Sequence, residues 1–303
     1  MGTKEEGVMT SRRIVVGLSE STSSDAALLW AAQKASTRCA SLVVVHATGG
    51  GRHSDPSGAR RLVDDAVQAV CVRVPGVRAH GELSDLDPAD ALVAHSVIAE
   101  LVVVGRGSDP AVLGPVARRV AAHAQTPAVV VASGQGLQRV GSDGDFVVGV
   151  GVGRSKGAWH AMDEAFGAAQ RNHGRVVAVR AWDELDGGSA TGTQETSSEA
   201  ASRILLDEHV AQAAAEFPTV PVDAKLVRGN SVDVLLDLSA ECDLLILGGR
   251  LRAGDETSQL GRDATTVLTR AHCPVAIVGW PQLGGRIEPA NVARWDVQTV
   301  DVT

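Results

Sequence analysis

Glu100-Leu-Val-Val-Val-Gly105 returns 143 residues later as Asp243-Leu-Leu-Ile-Leu-Gly248. Each run opens on an acid, stays apolar, and closes on glycine. Three further pairs repeat in the same order. Arg13-Ile-Val-Val-Gly17 matches Phe146-Val-Val-Gly149, and Ser41-Leu-Val-Val-Val-His-Ala47 matches Arg175-Val-Val-Ala-Val-Arg-Ala181. Thr126-Pro-Ala-Val-Val-Val131 matches Cys273-Pro-Val-Ala-Ile-Val278. The offsets of the four pairs, in chain order, are 132, 134, 143 and 147. Offsets that grow along the chain describe one duplicated unit with insertions in its second copy.

These runs are apolar at successive positions, which is the pattern of parallel strands covered by helices on both faces. Helical stretches lie between them. Ser24 to Lys34 is Ala/Leu-rich and opens on capping residues. Its counterpart follows Ser155 and places Trp159, Met162 and Phe166 on one face. Residues 60–72, 89–99 and 115–123 in the first copy, and 199–216, 232–240 and 263–271 in the second, read as the remaining helices. Each half therefore reads β-α-β-α-β-α-β-α-β. The fold class is α/β, with two tandem doubly wound five-stranded parallel sheets of Rossmann-like form. The expected boundaries are 9–135 and 145–280, followed by a C-terminal tail, 281–303. The Gly-rich stretch 133–144 joins the halves, and 183–198 reads as a Gly/Ser/Thr-rich loop.

Composition narrows the function. The 303 residues carry 28 Lys+Arg against 36 Asp+Glu, a net charge of −8. That balance disfavours nucleic acid as a partner, since phosphate binding needs a Lys/Arg surface. No run of about 18 apolar residues suggests a membrane span, and the N-terminus lacks the apolar core of a signal peptide. The expectation is a soluble cytoplasmic protein. Cys39, Cys71, Cys242 and Cys273 are widely spread. Without a C-x-x-C they signal neither a zinc site nor a disulfide framework, and two of them read as inert buried thiols.

The combination of a first strand, an Ala-Ala-Leu-Leu-Trp-Ala helix (26–31), the acid-Leu-apolar-Gly strands and the closing Ala-His-Cys-Pro-Val-Ala-Ile-Val (271–278) resembles the tandem universal stress proteins (UspA family) of actinobacterial type. The resemblance covers nearly the whole chain. It implies adenine-nucleotide hydrolase-like topology. In ATP-binding members it implies an Asp after the first strand for the adenine, and a loop G-x2-G-x9-G-[ST] for the phosphates. Such a loop works because glycines let backbone N–H groups approach oxyanions ahead of a helix N-terminus. Here the Asp position falls on Ser19 and Gly151. In the second half Gly248-Gly-Arg-Leu251 leads to Gly261 and Arg262, so the spacing survives while Leu251 and Arg262 replace a glycine and a hydroxyl. In the first half Gly105-Arg-Gly-Ser108 leads to Gly114-Pro115, four residues shorter.

Both sites thus read as degenerate, the first more so. The residues left to bind a ligand are Gly248, Arg250, Gly261, Arg262, Gly149 and Gly151, with no catalytic and no metal residue. Arg262, with Arg250 and Arg252, reads either as a solvated cluster or as the holder of some other anion. The glycines from 149 to 157 follow a strand, but a dinucleotide site also needs an acid about 20 residues on, and Val179-Arg-Ala181 stands there. His123 and His272 are expected at matching helix ends, and Glu82, Asp85 and Asp87 as a solvated acidic turn. The expected function is non-catalytic, without a cofactor, in stress or dormancy response through contact with an unknown protein partner. The last strands are expected to pair within the chain or between two chains. The alternative is an adenine-nucleotide (ATP) sensor using mainly the second half.

Overall fold

The computed structural model describes residues 12–49, 55–135, 146–155, 157–183, 192–249 and 260–279, with the side chains of 192–198 left aside. The first half runs β1 (Arg13–Gly17), α1 (Thr22–Thr37), β2 (Ser41–Ala47), α2 (Pro56–Arg73), β3 (Arg78–Ser84), α3 (Pro88–His95), β4 (Leu101–Gly105), α4 (Pro115–His123) and β5 (Ala128–Val131). The second runs β6 (Val147–Gly151), α5 (Gly157–Arg171), β7 (Arg175–Trp182), α6 (Gly192–Glu216), β8 (Val222–Arg228), α7 (Ser231–Glu241), β9 (Leu244–Gly248), α8 (Arg262–Arg270) and β10 (Val275–Val278). Helix starts follow their caps. The side chains of Ser21, Asp55, Asp87 and Asn230 each accept an N–H from the first turn of α1, α2, α3 and α7. Helix α6 begins at Gly192, so the second part of the loop expected at 183–198 is helical. Ser and Thr are only weak helix opponents. The linker 136–145 and the tail from 280 onward lie outside the described residues.

The strands form one ten-stranded sheet in the order β3-β2-β1-β4-β5-β10-β9-β6-β7-β8. Neighbours within each half are parallel. At the centre β5 and β10 meet antiparallel, with Val130 opposite Val275, Val129 opposite Ala276 and Ala128 opposite Ile277. The pairing is within the chain, and it gives each half's last strand a partner at what would otherwise be an open edge. Helices α1, α2, α5 and α6 cover one face, packing residues such as Trp30, Val63, Met162, Phe166 and Leu206. Helices α3, α4, α7 and α8 cover the other, with Leu92, Val120, Leu238 and Val267. The central strands are buried on both faces, which explains their unbroken apolar reading.

Pairing corrects one register. Gly17 pairs with Val45 on β2, and Gly151 pairs with Val179 on β7. The second-half counterpart of Gly17 is therefore Gly151, not Gly149, and that of Ser19 is Gly153. The first two strands then share one offset, 134, and the insertions fall later.

Polar contacts reinforce the seam on both sides. Lys34 at the end of α1 is 3% exposed, and its Nζ donates to Asn172 Oδ1 at 3.0 Å. It also lies 4.3 Å from the Phe146 ring centre and 5.6 Å from that of Trp30. Arg38 and Arg171 both reach Glu164, at 3.6 and 2.6 Å. On the opposite face Arg106 Nη1 donates to Thr269 O at 2.6 Å and Gln135 Nε2 to Ala271 O at 2.9 Å. These donors from the first half satisfy carbonyls at the C-terminus of α8 that no helical N–H can reach.

Burial, followed by repulsion from Arg38, lowers Lys34 from its ordinary 10.5 to about 8. Between those two values the folded chain binds fewer protons at this site than the unfolded chain, so stability rises with pH across that window. K34M removes the titration. Relative to K34M, the wild type should gain roughly 2–3 kcal/mol between pH 7 and pH 10 in denaturant unfolding. A pH-independent difference would refute the buried-cation reading of this interface.

Candidate functional site

The ends of the parallel strands, where β1 and β4 (or β6 and β9) diverge to opposite faces, are where open α/β sheets bind ligands. Both halves frame that place with the same two backbone features. The N-terminus of the first long helix crosses the end of the fourth strand so closely that no side chain fits between. A Cβ on Gly105 would lie 2.7 Å from the Ser23 backbone carbon, and one on Gly248 would lie 2.5 Å from that of Gly157. Gly114 and Gly261 then cap α4 and α8 with the same φ of −58° and ψ of 152°.

Between those points the described loop is that of the first half. It folds onto itself. Gly114 N–H donates to Arg106 O at 2.8 Å. Gly107 N–H donates to Ser23 Oγ at 3.2 Å, and the same hydroxyl donates to Gly107 O at 3.0 Å. Leu113 is buried beneath the loop, and the Arg106 side chain leaves it for the seam. The amides that would cradle a phosphate are spent inside the loop, and Pro115 brings no N–H to the head of α4.

In the second half a cavity of about 530 Å³ remains, within the roughly 300–1,000 Å³ usual for small-molecule sites. Its lining includes Gly151, Gly153, Arg154, Ser155, Arg180, Ser231, Gly248, Gly261, Arg262 and Asp263, with Ala122 and Thr126 closing it from the first half. Of the six residues expected to bind a ligand, Gly151, Gly248, Gly261 and Arg262 are thus brought together. Arg250 lies outside the described residues, as do Leu251 and Arg252. Gly149 is not in the cavity. It sits within β6, where a Cβ would come 3.0 Å from Cys242 Sγ and from Leu238, and its role is packing.

Arg180 is the residue that sequence reasoning noted only as a missing acid. It stands near the end of β7, 5% exposed, and its Nη1 donates to Val152 O at 3.0 Å, on the segment joining β6 to α5. The first half does the same with His46, whose Nδ1 lies 3.0 Å from Leu18 O. The residue following that carbonyl is Ser19 in one half and Gly153 in the other. Neither is a carboxylate, so the residues present do not fit the adenine contact that the resemblance implied.

A sequence model of the universal stress protein family matches residues 10–132 and again 147–279. The chain belongs to that family. A universal stress protein of Mycobacterium tuberculosis is 27% identical over 288 residues, covering 88% of this chain and 96% of its own length. One from Mycolicibacterium smegmatis is 27% identical over 289 residues, covering 89% and 97%. Among solved structures, a universal stress protein from Archaeoglobus fulgidus superposes with a TM-score of 0.64 at 17% identity, over 89% of this chain and 98% of that one. A functionally unknown protein from Pseudomonas aeruginosa superposes at 0.60 with 14% identity, over 89% and 93%. These two likenesses establish the fold.

Three smaller expectations of this universal stress protein change in the structure. Glu82 is not in an acidic turn. It lies within β3, where the hydrogen bond from His80, 3.3 Å away, holds its carboxyl below the usual range, while burial pushes the nearby His95 imidazole down. Asp87 caps α3. His123 ends α4, opposite Arg270 on α8, whereas His272 lies past the end of α8 and takes Ser239 Oγ with its N–H at 3.0 Å. Gln125 N–H does the same to Ser96 Oγ at 2.9 Å, so the Ser239–His272 contact is a structural staple shared by both halves. Among the described residues no group of three or more His, Cys, Asp or Glu is placed to hold a metal ion.

Two glycines of the second-half loop should respond oppositely to substitution. Gly248→Ala forces a Cβ into the backbone of α5 and should cost more than about 2 kcal/mol. Among the described residues nothing lies within 4 Å of a Cβ at Gly261, so Gly261→Ala should stay within about 1 kcal/mol. Thermal unfolding of the two variants checks the contrast.

Proposed function

We propose that this universal stress protein is non-catalytic, that its nucleotide sites have degenerated, and that it acts in stress or dormancy response through protein–protein contacts. The observation that carries this reading is the closed first-half loop, whose amides are engaged by Arg106 O and Ser23 Oγ. The second half supports it at the base-binding end, where the Arg180 guanidinium takes Val152 O and Gly153 offers no carboxylate. No described constellation places a base beside a nucleophile: Ser239, next to His272, is buried and donates to Leu236 O at 2.6 Å. For contacts with a partner, the first half presents Leu86, Val97, Ile98 and Val112, all about half exposed, around α3 and the loop before α4.

A second reading is favoured by the cavity itself. With Arg154, Arg180 and Arg262 on its wall, the second half is suited to an anion, and an adenine nucleotide held chiefly by its phosphates is the ligand the family resemblance points to. Native mass spectrometry of freshly purified protein, followed by calorimetric titration with ATP, separates the two. The first reading expects no co-purified nucleotide, a dissociation constant weaker than roughly 100 μM, and no phosphate release. A bound nucleotide, or a constant at or below roughly 10 μM, overturns it in favour of the second.

A further inference from the structure

Cys242 and Cys273 lie 31 residues apart in sequence, yet their sulfurs are 3.6 Å apart, in van der Waals contact. Cys242 follows α7 and is 9% exposed; Cys273 stands two residues before β10 and is 5% exposed. The internal repeat shows that the second half is shaped around this pair. The first-half counterpart of Cys242 is Ala99, and that of Gly149, whose Cβ would meet Cys242 Sγ at 3.0 Å, is Val15. In the second half the small residue has become Cys242 and the large one Gly149, whose missing side chain leaves the room the sulfur fills. The counterpart of Cys273 is Thr126, whose hydroxyl instead donates to Glu100 O at 2.7 Å. Two coordinated size changes and a lost hydroxyl leave two buried thiols in contact with each other, with a backbone group of Leu245 as a further partner of Cys273.

We infer that Cys242 and Cys273 form an oxidisable dithiol, a modification site that hydrogen peroxide converts to an intrachain disulfide tying the end of α7 to the start of β10. One sulfur takes an oxygen from peroxide, becoming a sulfenic acid and releasing water. The neighbouring thiol then attacks that sulfur; the S–S bond forms, the S–O bond breaks, and hydroxide leaves with the thiol's proton as a second water. Two electrons pass from the dithiol to one peroxide. Contact with Cys242, and burial, push the Cys273 thiol up, so that sulfur rests protonated and the reaction is slow, governed by accumulated peroxide. The sulfenic acid has its resolving thiol already in contact, which favours the disulfide over further oxidation. Because β10 is the strand that joins the halves, the crosslink ties the segment that enters the seam strand to the end of α7.

The test uses the full chain. Cys39 and Cys71 are exposed and are alkylated first under native conditions; an unblocked sample, in which they oxidise, shows that the peroxide is active. Peptide mapping without reductant should then recover a Cys242–Cys273 crosslink that grows with peroxide and disappears with dithiothreitol. The melting temperature should rise by several degrees in parallel, and C273S should lose that response. Recovery of the buried pair as two free thiols, or as a sulfinic acid without crosslink, overturns the inference, and so does an unchanged melting response in C273S.

Discussion

The antiparallel pairing of β5 with β10 is the contact on which the rest of the molecule depends. Each half ends on a four-residue strand of pure apolar side chains, Ala-Val-Val-Val or Val-Ala-Ile-Val. Left alone, such an edge exposes a row of backbone donors and acceptors and invites a foreign strand. Pairing the two edges satisfies both and makes one sheet of two. It also fixes the halves about an approximate two-fold axis, so that each half's loop region faces the other's fourth helix. That is why Arg106 meets the end of α8, and why Ala122 and Thr126 close the second-half cavity.

Within this symmetric frame the two halves have diverged in chemistry at equivalent backbone positions. Ser23 crosses Gly105 and offers its hydroxyl to Gly107 in the first half, where Gly157, with no side chain, crosses Gly248 in the second. Pro115 opens α4 and Arg262 opens α8. His46 and Arg180 hold the same carbonyl position, one as an imidazole and the other as a guanidinium. In the first half Ser23 and Pro115 turn a loop donor inward or remove one, whereas the described part of the second half keeps a cavity lined by Arg154, Arg180 and Arg262. The fold is common to both; the binding chemistry is not.

What the sequence made legible follows from burial. The central strands are covered on both faces, so hydrophobic runs alone located them. The outer strands β3 and β8 were not singled out, because Arg-Ala-His-Gly-Glu-Leu-Ser and Val-Asp-Ala-Lys-Leu-Val-Arg mix charges into half-exposed edges. The register slip at β6 arose because Val-Val-Gly-Val-Gly offers two glycine endings two residues apart, and only pairing with β7 distinguishes them. Of the site, the glycines and Arg262 were readable from spacing. Arg180 was visible only as a missing acid, since its partner, Val152 O, is brought to it by the neighbouring strand. The Cys242–Cys273 contact joins two elements through tertiary packing and leaves no local pattern; its single trace is the Gly149 and Val15 exchange, which can be interpreted only once the register is known.

A loop that is four residues shorter in one copy of a duplicated unit is expected to drift, because loops tolerate change. Here the shortened loop is instead tightly determined. Its backbone is closed by Gly114 and Ser23, its apolar side is buried through Leu113, and its one long side chain caps the last helix of the other half. Restoring the four missing residues would reopen the amides but would also withdraw Arg106 from Thr269 O and leave buried carbonyls at the end of α8 without their donor. The shortened loop is thus retained for the same reason that the sheet is continuous: its groups help hold the halves together.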